Sequence, residues 1–221
     1  MRIVSLIPEA TEILAALGLE DDVVTVPSDD VRDVGRLAVV LRAAQPTLIF
    51  TSETSTGGGI PRDHVRRAVS QMARKPRPAV YALEPRSVGE ILGDVKTVGD
   101  AVGRQGLART TIEALRARID AVSLHSARAL AEREPRRVVC LQGVDPPVAA
   151  GWWLAEQVGL AGGLDVLGGV GRPPRAVTWD QVRAAHPDLL VRIDEVGGEV
   201  HPGLGAVSLL EKLAALILPG A

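Results

Sequence analysis

The chain has 221 residues, 46% of them hydrophobic, and its 25 basic and 27 acidic side chains leave a net charge of −2. This length allows one large domain or two small ones with a substantial core. The near-neutral charge, without a long run of one sign, argues against general binding to nucleic acids or anionic membranes. No apolar stretch reaches about 18 residues, so we expect no membrane span.

The first eighteen residues predict a strand, a turn and a helix. The β-branched run Arg2–Leu6 predicts a buried strand. Pro8 then begins a helix, where its missing N–H costs nothing. Gly18 is a suitable stop after the apolar helical face.

The rest of the chain predicts an alternation of strands and helices. Further strands are expected at Val23–Val26, Thr47–Thr51, Ala79–Leu83, Arg137–Leu141 and Leu189–Ile193. Helices are expected after Asp63, from Ser87 to about Ala131 with a break at Gly103, near Trp153–Leu160, after Thr178, and at Leu204–Leu218. This order indicates parallel sheets with crossover helices.

Three local patterns give sharper expectations. Ser87 with Glu90 and Thr178 with Gln181 have the spacing of capping boxes at helix starts. Cys140, the single cysteine, lies in an apolar run and is expected to be a buried small hydrophobic residue. Because Cys140 is the single cysteine, a disulfide within the chain is excluded.

Several motifs, taken in order, resemble those of the helical-backbone binding proteins that capture vitamin B12 (cobalamin) and iron–siderophores for ABC importers. The motifs are the opening Met1–Gly18, Leu83-Glu-Pro-Arg86, the series Asp145-Pro-Pro147, Ala150-Gly151 and Ala161-Gly-Gly163, the stretch Val177–Leu190, and His201-Pro-Gly203. The match is spread over most of the chain, and it is closest to cobalamin-binding members.

The resemblance implies an α/β fold of two Rossmann-like lobes with parallel sheets, joined by a long helical segment, as in class III periplasmic binding proteins. The expected parts are an N-terminal lobe at 1–86, an inter-domain helical segment at 87–134 and a C-terminal lobe at 135–221. Such proteins bind a ligand and catalyse nothing. No Ser–His–Asp order or paired-carboxylate motif in the chain argues for an enzyme.

The candidate ligand is cobalamin or another metal chelate, bound in the cleft between the lobes. Trp152 and Trp153 form a tandem pair in a Gly-flanked loop, and they could offer flat faces to a large planar ligand or to a partner protein. Arg86, Asp145 and His201 are the expected polar contacts. One tryptophan could instead fill the core, and His201 could be a polar loop residue, a lower ligand of cobalamin or a metal ligand.

The residues of this chain that are expected to contact a partner protein are implied by the resemblance alone. Transport-linked relatives dock an exposed carboxylate on each lobe into a permease, and Glu156 and Asp63 occupy the nearest positions. Acidic residues also favour helix N-termini without any partner. A homo-oligomer that uses the tryptophan loop is the alternative partner.

The chain departs from the family on its ligand-facing loops. Cobalamin-type relatives carry a His-Glu-Cys-Asp stretch where this chain has Val26-Pro-Ser-Asp-Asp30, a cysteine-containing loop where it has Glu53–Gly57, and a Pro-Cys-Gly-type turn where it has Asp194–Gly198. The segments 29–46 and 193–201 also look shortened. The protein is thus expected to bind a different or smaller ligand, or to be a scaffold that has lost the ligand, or to hold a metal through the loop 194–201.

The first residues of the sequence predict the cellular compartment of the protein. Met1 stands directly before the first strand, and Pro8 interrupts the only stretch that could form a secretion signal. We expect a cytoplasmic protein, or a periplasmic or cell-surface protein if a leader has been removed.

Overall fold

The computed structural model describes residues 1–24, 26, 31–54, 59–73, 75–196 and 202–219. The chain forms two compact units. The first unit contains Met1–Glu84 and Thr97–Ala108, and the second contains Pro85–Lys96 and Arg109–Ala221. The helical segment predicted at 87–134 therefore contributes residues to both units.

The first unit contains a three-stranded parallel sheet in the order β1-β2-β3. Its strands are β1 (Ile3–Ser5), β2 (Leu48–Ser52) and β3 (Ala79–Leu83), and its helices include α1 (Pro8–Ala16), α2 (Val34–Ala44) and α3 (Arg62–Ser70). The apolar runs predicted as strands are the strands observed; β2 is fully buried, whereas in β3 only Leu83 is buried. At the predicted strand Val23–Val26, Val23 makes an isolated parallel bridge to Ile3, and Thr25 lies outside the described residues.

Two helices follow β3, and the break predicted at Gly103 is confirmed. They are α4 (Val88–Ala101) and α5 (Gln105–Leu130). Gly103 has φ +71°, a conformation that glycine adopts without the penalty of a side chain. The Arg104 N–H then donates to the Gly99 carbonyl at 2.8 Å, which closes the end of α4.

The second unit is built around the long strand β4 (Arg136–Val144). Two strands pair parallel with it: β6 (Gly163–Asp165) along its first residues and β8 (Leu189–Arg192) along Val138–Leu141. The short strand β5 (Pro147–Ala149) turns back antiparallel onto its end and pairs with β7 (Arg175–Ala176). The sequence predicted β4 and β8; it did not predict β5, β6 and β7, which have only two or three residues each.

Helices cover the sheet of the second unit. They are α6 (Trp152–Leu160), α7 (Trp179–Ala184), the short α8 (Ile193–Val196) and α9 (Gly205–Ile217). Alternate residues of β4 pack into different hydrophobic clusters on the two faces of the sheet. Val138 and Cys140 belong to the cluster that includes residues of α6 and α9. Val139 and Leu141 belong to the cluster that includes Val182 of α7. Among the described helices, none is both long and apolar enough to cross a bilayer.

The two predicted capping boxes have different outcomes. At α7, the Gln181 N–H donates to Thr178 Oγ1 at 3.2 Å and the Thr178 N–H donates to Gln181 Oε1 at 2.9 Å, so the box is complete. At α4, the Glu90 N–H donates to Ser87 Oγ, but the Glu90 carboxylate accepts from the N–H of Arg86. The return bond of the box is thus made one residue earlier than predicted.

The Cys140 thiol is expected not to react with a disulfide reagent such as DTNB in the folded protein. Cys140 is buried, and this burial, with a smaller contribution from Asp165, raises the pKa of the thiol to about 12. Because the thiolate is the reactive form, the folded protein should give almost no signal at about pH 8 and one equivalent after denaturation. Rapid labelling without denaturant would contradict the burial of Cys140.

Candidate functional site

The second unit brings together two of the predicted ligand contacts. The Arg86 guanidinium carbon lies 5.7 Å from the centroid of the Trp152 ring, which is a cation–π contact. Arg86 precedes α4 and is exposed, and Trp152 is the first residue of α6 and is half-buried. The guanidinium lies over one face of the ring, and this pair of a planar aromatic group and a cation suits a planar ligand that also carries anionic groups.

The segment Arg86–Val88 is held in place by side chains of α4 and α6. The Arg86 N–H donates to Glu90 Oε2 at 2.6 Å, and the Val88 N–H donates to Glu156 Oε2 at 2.7 Å. Trp152 and Glu156 both belong to α6, Trp152 as its first residue and Glu156 one turn later. The start of α6 thus contacts both the side chain of Arg86 and the backbone of Val88.

The backbone of Trp152 is in the left-handed region, with φ +50°. This conformation costs a residue with a Cβ about 1–2 kcal/mol, so neighbouring contacts must maintain it. The Trp152 N–H donates to the Arg172 carbonyl at 2.7 Å. Gly151 packs so tightly that a Cβ there would lie 2.3 Å from the same carbonyl oxygen.

The neighbouring ring of Trp153 is in the core. Trp153 is 4% exposed and belongs to the buried cluster of α6, α9 and β4. The structure therefore matches the alternative that one tryptophan fills the core: Trp153 does so, and Trp152 is half-buried.

The other predicted polar contacts do not join Trp152 and Arg86 in the described residues. Asp145 is exposed in the turn between β4 and β5. His201 lies outside the described residues, so its suggested roles stay predictions. The nearby carboxylates of Asp194 and Glu195 both pair with Arg192. In the part of the chain that the structure describes, no three His, Cys, Asp or Glu residues are grouped as a metal site.

The two predicted docking carboxylates differ in their surroundings. Asp63 is exposed in the first turn of α3. Glu156 is half-buried, and one of its oxygens accepts the Val88 N–H at the start of α4. Asp63 therefore has the exposure that docking requires, while Glu156 has an internal structural role.

The first unit also places polar groups at the carboxyl ends of its strands. A cavity of about 320 Å³ beyond β1 is lined by Ser5, Leu6, Ile7, Pro8, Thr11, Val26, Val31, Arg32 and Ile60. Beyond β2 and β3, Thr54 Oγ1 donates to Glu84 Oε1 at 2.7 Å. In open α/β sheets, ligands bind beyond the carboxyl ends of the strands, which is the edge where these groups lie.

Sequence reasoning missed Asp165. Its carboxylate accepts three backbone N–H groups, those of Leu167, Gly168 and Gly169. The available signal was an aspartate followed by a glycine-rich stretch, which is typical of a side chain that organises a turn.

No protein-family model matches the sequence, and no curated protein matches it. Solved structures do match its fold. The periplasmic vitamin B12 binding protein BtuF of Vibrio cholerae is 18% identical, with 98% of this chain and 96% of that chain covered and a TM-score of 0.71. The periplasmic heme-binding protein RhuT from Roseiflexus sp. RS-1 is 21% identical, with 98% and 97% covered and a TM-score of 0.73. IsdE of S. aureus, solved with heme, is 16% identical, with 98% of both chains covered and a TM-score of 0.73.

These similarities show the fold. The chain has the α/β fold of class III periplasmic binding proteins, which confirms the predicted fold class and, at the level of the fold, the resemblance seen in the sequence. Heme-binding proteins are as prominent among the similar structures as the vitamin B12 binding protein.

Proposed function

We propose that this protein is a non-catalytic binding protein for a planar metal chelate, a corrin or a heme, that contacts Trp152 and Arg86 of the second unit. The observation that carries the proposal is the Arg86 guanidinium 5.7 Å from the Trp152 ring centroid. Both ligand classes combine a flat ring system with anionic groups, carboxylates in heme and a phosphodiester in cobalamin. The ring of Trp152 would stack on the flat ring system of the ligand, and the guanidinium of Arg86 would pair with its anionic group.

The similar structures support this ligand class, since their names describe binding of vitamin B12 or heme. The predicted position of the ligand in a cleft between the two lobes stays a prediction. Because the loops at 26–30 and 53–57 differ from those of cobalamin-type relatives, heme and cobalamin are both candidates.

Calorimetric titration with cyanocobalamin, aquocobalamin and hemin tests the proposal. We expect saturable binding of one of them near one per chain. Trp152→Ala and Arg86→Ala should each weaken that binding by about tenfold or more, as expected for a central aromatic or arginine contact. Trp179→Ala is the matched control, because Trp179 is an exposed tryptophan at the start of α7. No binding of any of the three would contradict the proposal and favour the scaffold interpretation.

We further propose that, if this protein serves an ABC permease, Asp63 is the docking carboxylate of the first unit. Its exposure in the first turn of α3 supports this assignment. Glu156 is a weaker candidate for the second unit, because docking would compete with its bond to the Val88 N–H.

A further inference from the structure

A loop of the second unit is organised by a single carboxylate. Asp165, the last residue of β6, accepts the Leu167 and Gly168 N–H groups on Oδ1 at 3.1 and 2.8 Å, and the Gly169 N–H on Oδ2 at 3.2 Å. Three charge-assisted bonds to consecutive backbone donors fix the first half of the loop. We refer to residues 165–174 as the Asp165 loop.

The Asp165 loop packs against the residues that lead into Trp152 at two points. A Cβ at Gly168 would lie 2.1 Å from the Ala150 carbonyl oxygen, and a Cβ at Gly151 would lie 2.3 Å from the Arg172 carbonyl oxygen. Such close packing leaves the two segments little freedom to move apart independently. The Arg172 carbonyl also accepts the Trp152 N–H at 2.7 Å.

We propose that Asp165 is a positioning residue for ligand binding. By fixing the Asp165 loop, it keeps the Arg172 carbonyl on the Trp152 amide and so holds the Trp152 backbone at φ +50°. The ring is thereby presented at the surface beside Arg86. Without this restraint the left-handed backbone relaxes, because other conformations are favoured for a residue with a Cβ, and the ring leaves its position.

The role in ligand binding rests on the proposed function, but the control of the Trp152 ring does not, and it is tested without ligand. In the ¹⁵N-labelled protein, Trp152→Phe assigns the indole N–H resonance of Trp152 by its loss. Asp165→Ala should shift or broaden that resonance and leave those of Trp153 and Trp179 in place. Asp188→Ala is the matched control: Asp188 also accepts a backbone N–H, from Arg137 at 2.8 Å, but at the start of β8. It should leave the Trp152 resonance unchanged.

The ligand measurement uses hemin and cyanocobalamin as probes. For the probe that the unmodified protein binds, Asp165→Ala should weaken binding by about tenfold, because a ring that is held loosely no longer offers a preformed contact. Asp165→Asn keeps an acceptor oxygen for Leu167 and Gly168, and should recover most of the affinity. Asp188→Ala should bind like the unmodified protein.

Two outcomes would overturn the inference: an unchanged Trp152 resonance in a folded Asp165→Ala protein, or unchanged affinity in that variant. If Asp165→Ala does not fold, Asp165→Leu, which keeps the bulk of the side chain but has no acceptor oxygen, is compared with Asp188→Ala by the same resonance, and an identical Trp152 signal in the two would equally overturn it. If the unmodified protein binds neither probe, the proposed function fails, and the resonance experiment still decides whether Asp165 positions Trp152.

Discussion

Replacing Trp153 with alanine is expected to lower the free energy of unfolding by about 3–5 kcal/mol, the usual cost of truncating a buried large aromatic side chain. Trp153 is 4% exposed and lies in the cluster that contains Leu154, Leu210 and Ile193. The cost has two parts, the lost burial of the ring and the cavity that the surrounding helices leave unfilled. Urea denaturation followed by far-UV circular dichroism measures it.

Trp152→Ala is the matched comparison for that experiment. Trp152 is half-buried and packs at the edge of the same cluster, so its substitution should cost less than that of Trp153, because less buried surface is lost. Equal destabilisation by the two single substitutions would contradict the inward orientation of Trp153. A double variant that replaces both Trp152 and Trp153 with alanine is unsuitable as a binding test. Loss of the Trp153 ring would weaken the fold and so lower the apparent affinity, even if Trp153 does not contact the ligand.

Replacing Gly168 with alanine is expected to destabilise the second unit by about 3 kcal/mol, at the upper end of overpacking effects. The added Cβ would lie 2.1 Å from the Ala150 carbonyl oxygen and 2.4 Å from Asp165 Oδ2. Neither atom is the end of a long flexible side chain, so the backbone must shift. That shift would also disturb the three bonds that Asp165 accepts.

Gly159→Ala is the matched control for Gly168→Ala. Gly159 lies on the exposed side of α6, with no heavy atom within 4 Å of an added Cβ. Alanine there should stabilise the protein by about 0.5–1 kcal/mol, because glycine loses more backbone entropy in a helix. The midpoint of thermal unfolding should therefore move in opposite directions for the two variants. A midpoint for Gly168→Ala as high as that of the unmodified protein would show that the loop accommodates a methyl group.

Helices and strands were predictable where the spacing of residues within one segment is enough to identify the element. The helix at the C-terminus, α9, follows from apolar residues at helical spacing, and the Thr178–Gln181 capping box follows from two residues three apart. The strands β5, β6 and β7 were not predictable, since two or three residues carry too little periodicity to identify a strand. They exist because β4 extends far enough to pair with β5 and β6, and β5 in turn pairs with β7.

The candidate site was predictable only in part. The tandem tryptophans and the Leu83-Glu-Pro-Arg86 motif pointed to Trp152 and Arg86, which the structure places in contact. The partner of Glu156, the Val88 N–H, lies 68 residues away in the chain, and no local pattern indicates it. Asp165 was missed, although the glycines that follow it were an available signal, and no local pattern indicates its connection to Trp152.

The sequence by itself determined the α/β class, the positions of most of the longer helices and strands, although not that of α2, and the burial of Cys140, because these depend on residue type and on periodicities of two or 3.6 residues. Only the tertiary structure decided which tryptophan faces outward, how Glu156 is used, and how Arg172 holds the backbone of Trp152. Each of these depends on contacts between segments far apart in the chain, whose proximity is set by how the sheet and helices pack together and not by the residues next to them in sequence.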